Sequence, residues 1–229
     1  ELRTYVAEAM QAASRAAETS RFMLTYLGQT TARREPLNLS QVVEESQALL
    51  GTSIPANVSL KTRLPLEGPI IRADRAHLLQ ILTNLVTNAV EAIGETEGDL
   101  TVAVEVVSAE KIAGAKFFPL DWKPRDKGYA CLAVADTGPG LDAKTIDSIF
   151  DPFFTTKFTG RGLGLSIVLG LMRVCEGVVT VDSTPGKGAV FRVCFPLAEQ
   201  AEPAPREDLP APAQSLSGGL VLVVDDEAA

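Results

Sequence analysis

A polar stripe runs along one otherwise apolar segment of the chain. In HLLQILTNLVTNAVEAI, residues 77–93, Gln80, Asn84, Asn88 and Glu91 follow one another at steps of four, four and three. These steps place the four side chains on one face of a helix. Buried amides cost free energy unless they are hydrogen-bonded, and asparagine oxygens are suitable ligands for Mg²⁺. The stripe therefore predicts either a ligand-facing surface or a solvated helix face, and this helix alone favours neither.

A second group of candidate residues follows a segment that is predicted to be a strand. In VADTGPGL the apolar run ends at Asp136, and Gly138 and Gly140 come directly after it. A carboxylate at a strand end accepts a hydrogen bond from an amino group, and glycines let the backbone approach a flat ligand closely. The same residues also describe an ordinary tight turn, which is the favoured interpretation of this segment taken alone.

A third group combines cations with glycines in FDPFFTTKFTGRGLGLSIV, residues 150–168. Glycines at the start of a helix expose its N-terminal amides, and these amides together with the helix dipole bind phosphate. Nearby Lys and Arg side chains add positive charge. The segment therefore predicts a phosphate site formed by Lys157, Gly160, Arg161, Gly162 and Gly164.

The aromatic residues that open this third segment have a different predicted role. We expect Phe150 and Phe153 to be core residues that anchor a mobile loop. The loop itself, residues 151–161, is polar, cationic and flanked by glycine, so it has little apolar surface to hold it in place. We expect it to act as a lid that closes and becomes protected when a phosphate-bearing ligand binds.

Helices and strands predicted along the chain have to position these groups. Helices are predicted from Ser40, over 74–93 with Asp74 as N-cap, and over 163–175. Strands are predicted over 58–63, 70–71, 101–107, 129–135, 178–182 and 189–195. This mixture favours an α+β fold, a two-layer α/β sandwich in which helices cover one face of a mixed sheet.

Both ends of the chain differ from this central part. Residues 1–31 have a narrow seam at alternating steps of four and three, typical of a coiled coil or helical hairpin, although an ordinary docked amphipathic helix fits the spacing equally well. After Pro196 the composition becomes rich in Ala, Pro and Glu, which predicts a linker. LVLVVDDE then resembles the first strand of another domain. We therefore expect the chain to be part of a protein that continues at both ends.

The composition excludes several classes of partner. A net charge of −8 and a pI near 4.8 argue against nucleic acid or an anionic membrane, because both require a concentrated basic surface. No apolar run approaches the roughly 20 residues that cross a bilayer. The three cysteines, Cys131, Cys175 and Cys194, stand in apolar stretches without a CxxC pair and are interpreted as reduced core residues of a cytoplasmic protein.

Taken together and in this order, the motifs resemble those of bacterial sensor histidine kinases with the Bergerat-type ATP-binding fold. NLVTNAVEAI resembles the N box, DTGPGL the first glycine box, FDPFFTTK the F box, GRGLGLS the second glycine box and STPGKGAVF the third. The match spans roughly residues 38 to 197. Joint occurrence of these motifs is far more specific than any one of them.

The resemblance implies roles for particular residues. Asp136 would bind the adenine amino group, and Asn84 and Asn88 would hold Mg²⁺ against the triphosphate. The implied ATP-binding set is Asn84, Asn88, Asp136, Gly138, Gly140, Lys157, Gly160, Arg161, Gly162, Leu163, Gly164, Leu165 and Ser166. Two positions depart from the family pattern: Ala189 stands where a Thr is frequent, and Glu91 where many members have a basic residue.

The resemblance also implies an arrangement of domains and partners. Residues 1–34 would be the second helix of the dimerisation and phosphoacceptor hairpin, 35–198 the catalytic domain, 199–217 a linker and 218–229 the start of a receiver domain, as in hybrid kinases. Implied partners are ATP or ADP, the hairpin of the same protein in a homodimer, and a receiver domain in cis or in trans. The complete protein would be cytoplasmic or attached to a membrane elsewhere.

Related ATPases and anti-sigma-factor serine kinases are the alternative functions. Gyrase-type and mismatch-repair ATPases use a glutamate as general base where this chain has Asn84, and an amide cannot take a proton from water at neutral pH. Anti-sigma-factor kinases normally lack the two flanking segments. His77 is the only histidine and is interpreted as a structural or rim residue, so the phosphoacceptor is expected upstream of Glu1.

Residues 108–128 separate two predicted strands and contain Trp122, the only tryptophan. A connection of this length is usually functional or disordered. We expect its aromatic residues to pack back onto the sheet, since large aromatics are mostly buried. The alternative is a regulatory or docking surface, because aromatic and cationic side chains together suit stacking on a base or gripping a partner.

Overall fold

The computed structural model describes residues 5–6, 10, 33–124, 128–156 and 162–198. The predicted seam of residues 1–31 lies outside this part of the chain apart from three positions, as do the predicted linker 199–217 and the segment 218–229. Within the described residues, no helix is both long and apolar enough to cross a membrane.

Eight strands and five helices are found in the described part of residues 33–198. The strands are β1 Glu35–Asn38, β2 Val58–Arg63, β3 Ile70–Ala73, β4 Gly98–Ser108, β5 Lys116–Phe118, β6 Gly128–Asp136, β7 Val178–Ser183 and β8 Ala189–Pro196. The helices are α1 Leu39–Ser53, α2 Arg75–Ile93, α3 Ala109–Ala113, α4 Ala143–Ser148 and α5 Gly164–Val174.

Six of the strands form one mixed sheet in the order β2-β4-β6-β8-β7-β5. Strands β2 and β4 are parallel, whereas the other neighbours are antiparallel. Strands β1 and β3 form a separate antiparallel pair. Buried residues of α1, α2 and α5 share a core with one face of the large sheet. The predicted α+β sandwich is confirmed.

Local sequence features determine where helix α2 begins, where it ends and which side it buries. The Asp74 side chain accepts hydrogen bonds from the backbone N–H groups of Ala76 and His77, so it caps the helix as predicted. Burial raises the pKa of Asp74, but hydrogen bonds from the backbone N–H groups of Arg33, His77 and Ala76 outweigh it and lower the pKa overall. At the other end Gly94 has φ of 67°, a conformation that stops the helix. The buried positions are Leu78, Ile81, Leu82, Leu85, Val86, Ala89 and Ile93.

The prediction that all three cysteines are reduced is wrong for two of them. Cys131 and Cys194 form a disulfide instead of remaining reduced. They are 63 residues apart in the sequence, yet the antiparallel register of β6 and β8 makes them direct cross-strand partners with Cα atoms 4.1 Å apart. Spacing in the sequence does not reveal such a pair. Cys175 is free and buried as predicted, and burial raises its pKa to about 11.

A second, smaller apolar cluster covers the other face of the sheet. Tyr129 and Cys131 of β6 point into it, whereas their neighbours Ala130 and Leu132 point into the main core. Its cover comes from the connection between β4 and β6, where Ile112 of α3 is buried in the cluster. This connection therefore contains two short elements, α3 and β5, that were not predicted.

The Trp122 ring packs back onto this cluster, as expected. Its centroid lies 5.5 Å from the ring centroids of both Phe117 and Tyr129, in edge-on arrangements. Trp122 is half-buried, and Phe118 at the end of β5 is buried against Phe150, with ring centroids 4.6 Å apart. The aromatic side chains of the connection 108–128 thus pack on the sheet and stabilise it.

We expect Trp122→Ala to lower the free energy of unfolding by about 2 kcal/mol. A fully buried tryptophan loses roughly 3–5 kcal/mol on truncation, and Trp122 is only half-buried. Urea denaturation measures the loss. Leu120→Ala is the matched control: Leu120 is 76% exposed, so its truncation should change stability by less than about 0.5 kcal/mol. A Trp122→Ala variant as stable as the parent, with altered phosphotransfer, would instead support a docking surface.

Candidate nucleotide-binding site

A cavity of about 660 Å³ lies between α2, the end of β6 and the start of α5. Its size is that of a small-molecule site. The three groups of residues singled out in the sequence meet here, although they belong to distant parts of the chain. Predicted site residues that line the cavity are Asn84, Asn88, Asp136, Gly140, Gly162, Leu163, Gly164 and Leu165.

Helix α2 turns its polar stripe towards this cavity. Gln80, Asn84, Asn88 and Glu91 all line it, so the ligand-facing interpretation of the stripe is the one the structure supports. The Nδ2 atom of Asn84 is buried, and no described residue accepts a hydrogen bond from it. A buried amide without a partner is costly, and a polar ligand would remove this cost.

Asp136 forms one end of the cavity. Its residue exposure is 7%, and one carboxylate oxygen accepts a hydrogen bond from the Gly138 backbone N–H at 2.8 Å. Gly138 does not line the cavity, but it lets the strand end approach α2. A methyl group there would lie 3.0 Å from backbone atoms of Ala92. The role of Gly138 is therefore to place Asp136 beside α2.

Gly140 closes the turn after Asp136. It has φ of 69°, and a methyl group at this position would lie 2.2 Å from the Thr184 carbonyl oxygen. The side chain of a larger residue would collide with backbone. Glycine is therefore required here by both conformation and space.

The start of α5 forms the opposite end of the cavity. Leu163 is the N-cap residue, and no side chain of the described residues caps the first amides of the helix. A methyl group on Gly164 would lie 3.6 Å from Nδ2 of Asn88 and 3.8 Å from Oδ1 of Asn84. The uncapped helix start therefore faces the two asparagines, an arrangement suited to an anion.

Besides Gly138, four predicted residues are not placed at the cavity. The Ser166 hydroxyl donates to the Leu163 carbonyl oxygen at 2.9 Å, and Ser166 is only 1% exposed, so its side chain stabilises the first turn of α5. Lys157, Gly160 and Arg161 lie outside the described residues, as does much of the predicted lid.

One of the two aromatic core predictions is wrong. Phe150 is buried, with 4% exposure, but Phe153 is 57% exposed and has φ of 68°. The Phe153 backbone N–H donates to the Gly162 carbonyl oxygen at 2.9 Å, and this contact ties the two ends of the predicted lid together. The next residue, Phe154, lines the cavity. The turn after Phe150 reverses the side-chain direction, which residue type alone does not reveal.

Apart from Ala189, which the resemblance placed near the adenine, the apolar walls of the cavity were not predicted as site residues. They come from five elements or loops, and their composition is that of ordinary core: Ala92, Leu141, Ile149, Phe154, Ile167, Ala189 and Phe191. Thr145 of α4 adds a polar group. Its backbone N–H bonds to the N-cap Asp142, and this hydrogen bond lowers the pKa of the Asp142 carboxyl. No sequence signal separates these residues from the rest of the core.

Similarity to known proteins agrees with this geometry. Residues 73–199 match the family described as histidine kinase-, DNA gyrase B- and HSP90-like ATPases, which is more than half of the chain. The chain belongs to this ATPase family. Sensor kinase CckA of Brucella abortus is 33% identical over 95% of this chain and 23% of its own length. Signal transduction histidine-protein kinase AtoS of Escherichia coli is 34% identical over 72% of this chain and 24% of its own.

Two solved structures have a similar fold. The catalytic domain of histidine kinase ThkA, in a nucleotide-free form, gives a TM-score of 0.58 at 28% identity and covers 72% of this chain and 96% of that one. Full-length ShkA in complex with AMPPNP gives 0.61 at 27% identity, covering 87% of this chain and 39% of that one. The chain spans about a quarter of the length of each of the two sensor kinases CckA and AtoS.

Proposed function

We propose that this chain is the ATP-binding catalytic part of a two-component sensor histidine kinase, and that it transfers the γ-phosphate of ATP to a histidine outside this sequence. The observation that carries the proposal is a single cavity in which Asp136, the amides of α2 and the uncapped start of α5 meet. Membership of the ATPase family, and similarity to sensor kinases, support it.

Within the cavity, we assign the adenine to the Asp136 end. The buried carboxylate accepts a hydrogen bond from the exocyclic amino group, and Gly138 and Gly140 give the turn its shape. The phosphates go to the α5 end, where the backbone amides of residues 162–166 meet them. Lys157, Gly160 and Arg161 complete this end in the proposal, because cations and glycines suit phosphate.

Asn84 and Asn88 are the proposed holders of Mg²⁺. Amide oxygens are hard ligands. The buried Nδ2 of Asn84 has no hydrogen-bond partner among the described residues, which fits a site whose polar groups are completed by a bound ligand. Among the described residues, no three His, Cys, Asp or Glu side chains converge on a metal site, so phosphate oxygens and waters would supply the remaining ligands. When bound, the ion would neutralise part of the negative charge of the phosphates.

Residue 84 favours transfer over hydrolysis. An amide at this position cannot act as a general base towards water, so the related ATPase function is disfavoured. In the transfer, an imidazole nitrogen of the acceptor forms a bond to the γ-phosphorus. The bond from phosphorus to the bridging oxygen breaks, ADP leaves with the electron pair, and the imidazole N–H proton passes to solvent.

The acceptor in this proposal is not His77. This residue lies in the first turn of α2, and its Nδ1 atom is buried. A dimerisation hairpin, of which residues 1–34 are the second helix, would supply the acceptor within a homodimer. The remaining domain assignments are 35–198 as the catalytic domain, 199–217 as linker and 218–229 as the start of a receiver domain that takes the phosphoryl group. A cytoplasmic location follows from this proposal.

Labelled ATP tests the function directly. The chain is mixed with Mg²⁺ and an excess of the dimerisation hairpin of a relative such as CckA, and acid-labile phosphate is measured. We expect label on the hairpin and none on the chain, and His77→Gln should transfer as fast as the parent. Label on His77, or release of inorganic phosphate without any label on the hairpin, would contradict the proposal.

A further inference from the structure

The cavity has a defined direction along α2. The Asp136 end lies against Ala92, because Gly138 packs on the backbone of that residue. The phosphate end lies against Asn84 and Asn88, which approach Gly164 at the start of α5. At about 1.5 Å per residue, the axis from Ala92 to Asn84 is about 12 Å long. A nucleotide with its base at Asp136 therefore runs towards the N-terminus of α2.

Gln80 is the next residue of the stripe in this direction. It lies one helical turn beyond Asn84, lines the same cavity and is exposed. Side chains of a helix lean towards its N-terminus, so the Gln80 amide extends further from Asp136 than its Cα does. No described residue forms a hydrogen bond with the side-chain amide of Gln80. Its two amide donors are therefore available to a ligand at the outer end of the cavity.

The charges around the cavity support an anion at this end. The acidic residues among its described lining residues are Glu91 and Asp136, and both belong to the end near Ala92. The other end has amides, the hydroxyls of Thr155 and Thr156, and the uncapped start of α5. A carboxylate that would repel a terminal phosphate is absent from the described lining residues of that end.

We propose that Gln80 donates a hydrogen bond to the terminal phosphate of bound ATP and so makes the site distinguish ATP from ADP. This inference rests on the proposed function, since it assumes that the base lies at Asp136. It assigns to Gln80 a direct contact with the group that is transferred, at the end of the cavity where Gln80 is exposed. Asn88, Asn84 and Gln80 then follow one another along the stripe in the direction from the base to the terminal phosphate.

Calorimetry with two nucleotides tests this contact. Affinities for Mg-ADP and for Mg-AMPPNP, a non-hydrolysable triphosphate, are compared in the parent, Gln80→Ala and Gln80→Glu. We expect ADP affinity to stay within about twofold, since ADP does not reach Gln80. AMPPNP affinity should fall about fivefold in Gln80→Ala, the loss typical of one hydrogen bond, and more in Gln80→Glu, whose carboxylate repels phosphate.

Thr83→Ala is the control. Thr83 is exposed on the same helix but does not line the cavity, so its variant should bind both nucleotides as the parent does. Unchanged AMPPNP affinity in Gln80→Ala, or an equal loss for both nucleotides, would overturn the inference while leaving the proposed function intact. Failure of the parent to bind either nucleotide would overturn the proposed function itself.

Discussion

Asp136→Asn should weaken the binding of ADP about 10- to 100-fold. The carboxylate is buried at the end of β6, and in the proposed site it accepts a hydrogen bond from the adenine amino group. An asparagine in the same orientation turns one acceptor into a donor that faces another donor. Hydrogen bonds to charged groups contribute about 1.5–3 kcal/mol, and each 1.4 kcal/mol corresponds to a tenfold change in affinity.

Calorimetry on Asp99→Asn provides the matched comparison. Asp99 is a carboxylate of the neighbouring strand β4, but it lies outside the cavity and pairs with Lys61 at 2.8 Å on the surface. Exposed ion pairs contribute little, so this variant should bind ADP like the parent and lose less than about 1 kcal/mol of stability. Equal ADP affinity in Asp136→Asn and the parent would remove Asp136 from the site.

Local signals in the sequence were sufficient for the longest elements. Helix α2 has both an N-cap residue, Asp74, and a long apolar periodicity, and its predicted range agrees with the structure. The same periodicity identified the polar stripe, but not what it faces. That became clear only from the position of α5, whose start lies against Asn84 and Asn88. The contact joins residues about 80 positions apart, so no local pattern contains it.

Features that depend on strand pairing or on single turns were missed. The Cys131–Cys194 bond depends on which strands are neighbours, and the hydrophobic alternation of β6 and β8 is the same with or without it. Phe153 was misplaced because a single residue with positive φ redirects its side chain. Elements as short as β5 and α3, with three and five residues, contain too few residues to show a period.

Gly188→Ala should be the most damaging single-methyl change at this site, and its expected cost is about 4 kcal/mol of folding free energy. Gly188 has φ of 80°, and a methyl group there would lie 1.9 Å from the Asp136 backbone carbonyl oxygen. The positive φ accounts for about 1–2 kcal/mol. The remainder is the cost of displacing the end of β6. Because Asp136 must move, ADP affinity should fall at least about tenfold.

Gly186→Ala separates these two contributions. Gly186 also has φ of 80° and belongs to the same turn, but a methyl group there would meet nothing within 4 Å. Its variant should therefore lose only about 1–2 kcal/mol and bind ADP like the parent, because Asp136 stays in place. Urea denaturation gives the two stabilities and calorimetry the two affinities. If both variants lose the same stability, backbone conformation alone explains the cost. In that case, the close packing of Gly188 against Asp136 does not determine the geometry of the site.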